Sequence, residues 1–179
     1  MERKGDWMQT FMGARFYPCD PRAEDVDPLD IAHALSLLCR YGGHVDRFYS
    51  VAEHCVLMSQ AVAPENALAA LLHDATEAYV VDVPRPLKHA LPEYQLIEAH
   101  VWLAIADRFN LDYRLPEEVD LADSRILLTE RIALMSRTRY PWFQDGQFDP
   151  LPVAISGWMP TEAEERYLNR LHEIGAFDA

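Results

Sequence analysis

The stretch ALAALLHDATEA (67–78) decides how this chain is read. Leu68, Leu71, Leu72 and Ala75 recur at helical spacing, and the run is the most apolar in the sequence, yet His73 and Asp74 stand side by side inside it. A helix this apolar belongs to a core. A carboxylate in a core is costly unless it is paired or bound to a cation. An imidazole next to a carboxylate suits a divalent metal with mixed nitrogen and oxygen ligands. Taken alone, the dipeptide reads better as two polar residues on a helix surface.

Working outward, the rest of the chain is also helical in pattern. Asp27-Pro28 starts a helix, with Asp as N-cap and Pro at the first position. Ile31, Leu35 and Leu38 form its stripe, and Gly42-Gly43 ends it. Ser50 and Glu53 make a capping box ahead of Val51, Cys55, Met58 and Val62. Pro64 closes that helix and opens the one that carries the quoted stretch. Pro84 and Pro86 impose a non-helical segment. Pro92 opens a fourth helix with Ile97, Val101, Ile105 and Phe109 on one face and Asn110 as its C-cap residue. Pro116-Glu117-Glu118 opens a fifth, running to about Arg139, with acids at the positive end of its dipole. Residues 140–158 read as irregular, with 151–155 as a short strand. Thr161 and Glu164 cap a last helix that ends at Gly175. Residues 1–27 carry little pattern and are expected to wrap the surface or join an oligomer interface. The expectation is all-α and a single domain, with a core over about 27–139 and a C-terminal helix over about 161–174.

The chain has 179 residues, which suits one domain with a proper core, and half of them are hydrophobic. Its formal net charge of -13 argues against binding long nucleic acid, which needs a basic surface. A small anionic substrate stays compatible, because a metal and a few cations reverse the field inside one pocket. No apolar run reaches the ~18–20 residues needed to cross a bilayer. The start, Met1 to Asp6, is charged and unlike a signal peptide, so the expected location is the cytoplasm, with no membrane partner. Cys19, Cys39 and Cys55 are too few and too scattered for a disulfide framework, and Cys39 and Cys55 read as small core residues.

The dipeptide has company. His54 lies beside the apolar stripe of the preceding helix, and Asp123 lies between Val119 and Ile126 on a face that is otherwise core. Two histidines and two carboxylates on buried faces are hard to explain as packing, and one metal at their meeting point explains all four. Glu77 falls four residues after His73 and three after Asp74, which gives it their face and makes it the candidate for proton transfer. Asp82 follows just before Val83-Pro84-Arg85-Pro86, where a rigid loop can hold its carboxylate near the metal. His33, His89, His100 and His172 stand outside this set and read as core-edge or surface residues. Trp102, Trp142 and Trp158 read as packing or interface residues.

In this order, His54, then His73-Asp74, then Asp123, the chain resembles the HD phosphohydrolase superfamily. SVAEH (50–54), ALLHDATEAY (70–79), DVPRPLK (82–88) and DLADSRILLTE (120–130) look like bacterial 5'-deoxyribonucleotidases and their phage relatives. DIAHALSLLCRYGGH (30–44) looks like the phage dATP triphosphohydrolases. The resemblance covers roughly residues 13–135.

It implies an HD-type helical bundle that hydrolyses deoxynucleotides at the 5' phosphoester. It implies one divalent transition metal (Mn, Co, Zn, Ni or Fe) on His54, His73, Asp74 and Asp123, with Mg on the substrate phosphates. Glu77 and Asp82 match the acidic pair that handles protons around the attacking water. Arg40 matches an arginine that grips phosphate. Lys88 adds a point charge, His44 a donor after two glycines, and Tyr41 a ring to stack on the base; Arg85 is a weaker candidate. The preferred reading is a dNTP triphosphohydrolase releasing deoxynucleoside and triphosphate, with a homo-oligomer expected. A nucleotidase acting on deoxynucleoside monophosphates uses the same chemistry. A silent nucleotide sensor would not need Glu77 and Asp82, and an acidic interaction module without metal would leave His73-Asp74 and Asp123 unexplained.

Overall fold

The computed structural model describes residues 3–142 and 144–177. Its centre is the helix that Ser50 opens. Ser50 Oγ accepts the Glu53 N–H at 3.0 Å, and α2 (Val51–Ala61) follows. Every residue of α2 from Val51 to Ser59 is buried, so its polar groups must find partners inside the protein. Only half of the expected capping box forms. The Glu53 carboxylate does not turn back to Ser50 but accepts the N–H groups of Ser156, Gly157 and Trp158 at 2.8, 3.0 and 2.6 Å. This pins the irregular 140–158 segment to the core.

Around α2 pack α1 (Pro28–Leu37), α3 (Ala67–Leu72), α7 (Glu117–Leu134) and α8 (Pro160–Ile174). Asp27 caps α1 as its sequence predicts, accepting the Leu29 N–H at 2.8 Å. Tyr167 on α8 is fully buried and donates its hydroxyl to the Leu71 carbonyl at 2.9 Å, which fastens α8 to α3. Gly175 closes α8 in the left-handed conformation, with the Ala176 N–H on the Leu171 carbonyl at 3.0 Å. Asn110 does the same for α6 (Pro92–Arg108), at φ 52°. Among the described residues the architecture is all-α apart from one small antiparallel hairpin, β1 (Met8–Gln9) with β2 (Arg15–Phe16), and an isolated bridge between Cys39 and Ser50. Among the described residues no helix is long and apolar enough to cross a membrane.

Several expectations are corrected. The apolar third helix is not continuous. It stops at Leu72, passes through a tight turn at 73–76, and resumes as α4 (Glu77–Val80). The turn is held by i→i+3 bonds, Ala75 N–H to Leu72 O at 2.9 Å and Glu77 N–H to Asp74 O at 3.0 Å. The His73 Nδ1 donates to the Ala70 carbonyl, the group an uninterrupted helix would give to residue 74. Glu77 therefore reaches the site across a tight turn and not by α-helical spacing.

Pro84 and Pro86 do not exclude a helix: α5 (Arg85–Lys88) forms with Pro86 in its first turn, where a missing N–H costs nothing. The first helix ends at Leu37, ahead of a 3-10 turn over Arg40–Gly43, and not at Gly42-Gly43. The fifth ends at Leu134, not near Arg139, because the Leu134 carbonyl accepts the Asp46 N–H at 2.8 Å. Residues 151–155 form no strand; they dock on α7 through Leu151 N–H to Arg125 O at 3.1 Å and Thr129 Oγ1 to Leu151 O at 2.7 Å. Thr161 does not cap α8, which starts one residue earlier at Pro160, and Glu164 faces His33 Nδ1 at 3.2 Å. The N-terminal segment, which carries little pattern, folds as the hairpin; Phe16 is fully buried and stacks on Tyr79 at 3.9 Å. Burying that ring contributes roughly 1.5–3 kcal/mol.

Candidate metal centre

His54 lies on α2 where no solvent reaches it, so both of its ring nitrogens need partners. Nδ1 is 2.6 Å from Glu130 Oε1, and Nε2 is 3.1 Å from His73 Nε2. Glu130 is also fully buried, on α7. Burial pushes its pKa up, but the Arg40 guanidinium and His54 outweigh this and hold it at about 2. An ionised carboxylate only accepts, so His54 Nδ1 is the donor. His73 Nδ1 is 2.8 Å from the Ala70 carbonyl, which also only accepts. The two imidazoles therefore commit their Nδ1 protons elsewhere and turn their Nε2 atoms on each other.

Two carboxylates flank this pair. Asp74 Oδ2 is 3.3 Å from His73 Nε2 and 3.6 Å from His54 Nε2, and Asp123 Oδ1 is 3.5 Å from His54 Nε2. The ligand atoms of His54, His73 and Asp123 all lie within 4.8 Å of one another. Metal bonds of about 2.0–2.2 Å set neighbouring ligand atoms about 2.8–3.6 Å apart in octahedral or tetrahedral geometry. The donor set and the spacing both fit a divalent transition metal. The site draws in positive charge. Burial opposes a charged His73, yet Asp74 and Cys55 outweigh it and raise the His73 pKa. Burial would raise Asp74, yet His73, Arg40 and His54 hold it well below the usual carboxylate range. Cys55 also approaches His73 and Asp74, but burial pushes its thiol pKa up, which disfavours the thiolate a metal needs.

Arg40 sits in the 3-10 turn after α1, fixed by its N–H on the Tyr49 carbonyl at 2.9 Å. Its Nη1 donates to Asp74 Oδ2 at 2.9 Å, and its Nε is 3.4 Å from Glu130 Oε2. Glu77 is buried, and Oε2 has no partner among the described residues. Burial first, then Asp74 and Asp82, push its pKa well above the usual value. Asp82 is more open; burial raises it, Arg40 and Lys88 pull against this, and Asp74 and Glu98 add to it. Both carboxyls are thus held above their usual pKa, Glu77 buried one tight turn after Asp74 and Asp82 exposed just beyond α4.

The substrate residues expected from sequence are not all brought in. Lys88 is paired with Glu98 at 2.7 Å. His44 is exposed at the end of its turn. The Tyr41 hydroxyl donates to Glu130 Oε2, which draws it behind His54. The sequence reading missed Glu130 and Tyr49, whose hydroxyl donates to Glu130 Oε1 at 2.8 Å. A signal was available: Asp123 and Glu130 are seven residues apart, two helical turns, and so share a face.

The chain is 41% identical over 149 residues to YfdR of Escherichia coli K12, across 83% of this chain and 80% of YfdR. It is 35% identical over 129 residues to RCAP_rcc00048 of Rhodobacter capsulatus, across 66% of each. Both relatives are described only as uncharacterized proteins. No protein-family profile matches the chain.

Proposed function

The chain belongs to the family of YfdR, and we propose that it is a metal-dependent phosphohydrolase of the HD type, cleaving deoxynucleotides at the 5' phosphoester. One observation carries this reading: two imidazole Nε2 atoms 3.1 Å apart, both Nδ1 protons committed elsewhere, with Asp74 and Asp123 beside them. His54, His73, Asp74 and Asp123 would hold the metal. When bound, a divalent metal polarises a phosphoryl oxygen and acidifies water, which supplies a nucleophile near neutral pH.

The chain's own residues do the rest. Glu130 fixes the His54 ring, so that Nε2 points into the cluster. Arg40 offers a guanidinium fork for phosphate oxygens next to Asp74. Glu77 and Asp82 take the proton from the attacking water or deliver it to the departing 5' oxygen. An oxygen leaving as an alcohol needs a donor that still holds its proton, and the raised pKa values of both groups suit that role.

The sequence points to a deoxynucleoside triphosphate as substrate. A second reading, a monophosphate, is favoured by the pairing of Lys88 with Glu98 and of Arg40 with Asp74, because a triphosphate tail calls for more free cations. The test is to incubate the protein with Mn²⁺ or Co²⁺ and deoxynucleoside mono-, di- and triphosphates, and to separate the products. Deoxynucleoside released from triphosphates, and lost in Asp74→Ala, is the expected result. Release from monophosphates alone selects the second reading. No turnover by metal-loaded protein contradicts both.

A further inference from the structure

A cleft of about 450 Å³ opens between the β1–β2 hairpin, α1 and the 77–81 segment. Its rim is apolar and exposed, with Met8 and Phe11 from the hairpin side facing Leu37 and Val81. The Phe11 ring is stacked on His33, 3.6 Å between centroids and 9° from parallel, which gives the cleft a flat wall. No lysine or arginine lines it.

Two carboxylates do. Asp30 is 3% exposed; its Oδ1 accepts the Met12 N–H at 2.7 Å, while Oδ2 has no partner among the described residues. Glu77 is 7% exposed, and its Oε2 is equally without a partner. A buried acceptor left without a donor costs about 1–3 kcal/mol, so native structures rarely keep one without a reason. Asp30 and Glu77 both line this one apolar cleft, and Asp30 Oδ2 is the acceptor left without a donor beside it. The ligand that completes it has flat apolar faces and N–H donors at its edge. Glu77 lines this cleft and follows Asp74 by one tight turn, its N–H on the Asp74 carbonyl at 3.0 Å, so the cleft opens next to the segment that carries His73 and Asp74.

We infer that this cleft receives the base of the nucleotide, and that Asp30 selects bases carrying an exocyclic amino group (adenine, guanine, cytosine) over thymine. This rests on the proposed nucleotide chemistry and adds the base-reading residue to it. An amino group at the base edge donates to Asp30 Oδ2. Thymine presents two carbonyl oxygens around a single N–H, and those oxygens repel a carboxylate. Asp30 acts on binding and touches no reacting atom.

The test is equilibrium dialysis of the four free deoxynucleosides against the full chain, which needs neither phosphate nor turnover. The three amino-bearing nucleosides are expected to bind at least about tenfold tighter than thymidine. Asp30→Asn keeps an acceptor for the Met12 N–H but offers an amide donor, and it should bring thymidine to within about threefold of the others. Ala34→Phe, filling the cleft from α1, should abolish binding of all four while the far-UV circular dichroism stays unchanged. Equal binding of thymidine by the wild type, a preference that survives in Asp30→Asn, or no nucleoside binding, as when a side chain from a second copy fills the cleft, overturns the inference. Hydrolysis is scored separately. Sorting without turnover sinks the proposed reaction alone, and turnover without sorting sinks this inference alone.

Discussion

Glu130 is where His54, Arg40, Tyr41 and Tyr49 converge, and it decides how well His54 can serve a metal. Replacing it by Gln keeps the shape but removes the charge that fixes the imidazole. Glu130→Gln is expected to weaken Mn²⁺ or Co²⁺ binding by about 10–100-fold, read by competition with a chromogenic chelator. Tyr49→Phe removes one hydrogen bond and leaves Glu130 ionised, so it should lower stability by about 1 kcal/mol in urea unfolding with little change in metal affinity. Equal metal affinity in both variants would mean that Glu130 is only structural. The sequence singles out His54, His73, Asp74 and Asp123 as candidate ligands because ionisable residues on apolar faces demand partners, and the structure brings these side chains together. Glu130 obeys the same logic, on the Asp123 face with Ile126 and Leu134 four residues to either side, but its partners Arg40, Tyr41, Tyr49 and His54 lie far along the chain and only the fold brings them to it.

Among the elements, those with local signals are legible. Asp27-Pro28 and Ser50 start helices where the caps say they should, and Asn110 and Gly175 end them. Asp27→Ala should therefore cost about 1 kcal/mol, measured by chemical denaturation. The elements that tertiary contacts decide are not legible. The break at 73–76 depends on a side chain taking a backbone carbonyl, and the hairpin strands are two residues each, too short to show alternation. Glu53 is the sharpest example, since its sequence role as a capping-box partner gives way to holding Ser156, Gly157 and Trp158. Glu53→Gln is expected to lose about 2–4 kcal/mol of stability and to speed limited proteolysis within 140–158. Slower or unchanged cleavage there would show that other contacts hold the segment.

For the whole molecule, the periodicity is enough for the all-α class, and the helices that surround α2 bring residues 69 positions apart, His54 and Asp123, to 3.5 Å. With a net charge of -13 and carboxylates gathered around one point, the metal-free protein carries a local excess of negative charge that a cation relieves. In the proposed metal centre, binding would therefore be coupled to stability. At about 100 times its dissociation constant, metal should add about 2.7 kcal/mol, and a scan of the melting temperature should show a rise of about 5–10 °C that a chelator reverses. Asp74→Ala should show no such rise. The proposed centre on His54, His73, Asp74 and Asp123 is tested most directly by a Co²⁺ titration followed by visible absorption. The prediction is a ligand-field band that saturates at one equivalent in the wild type and is absent in Asp123→Ala. No saturable band in the wild type, or the same band in the variant, would contradict it.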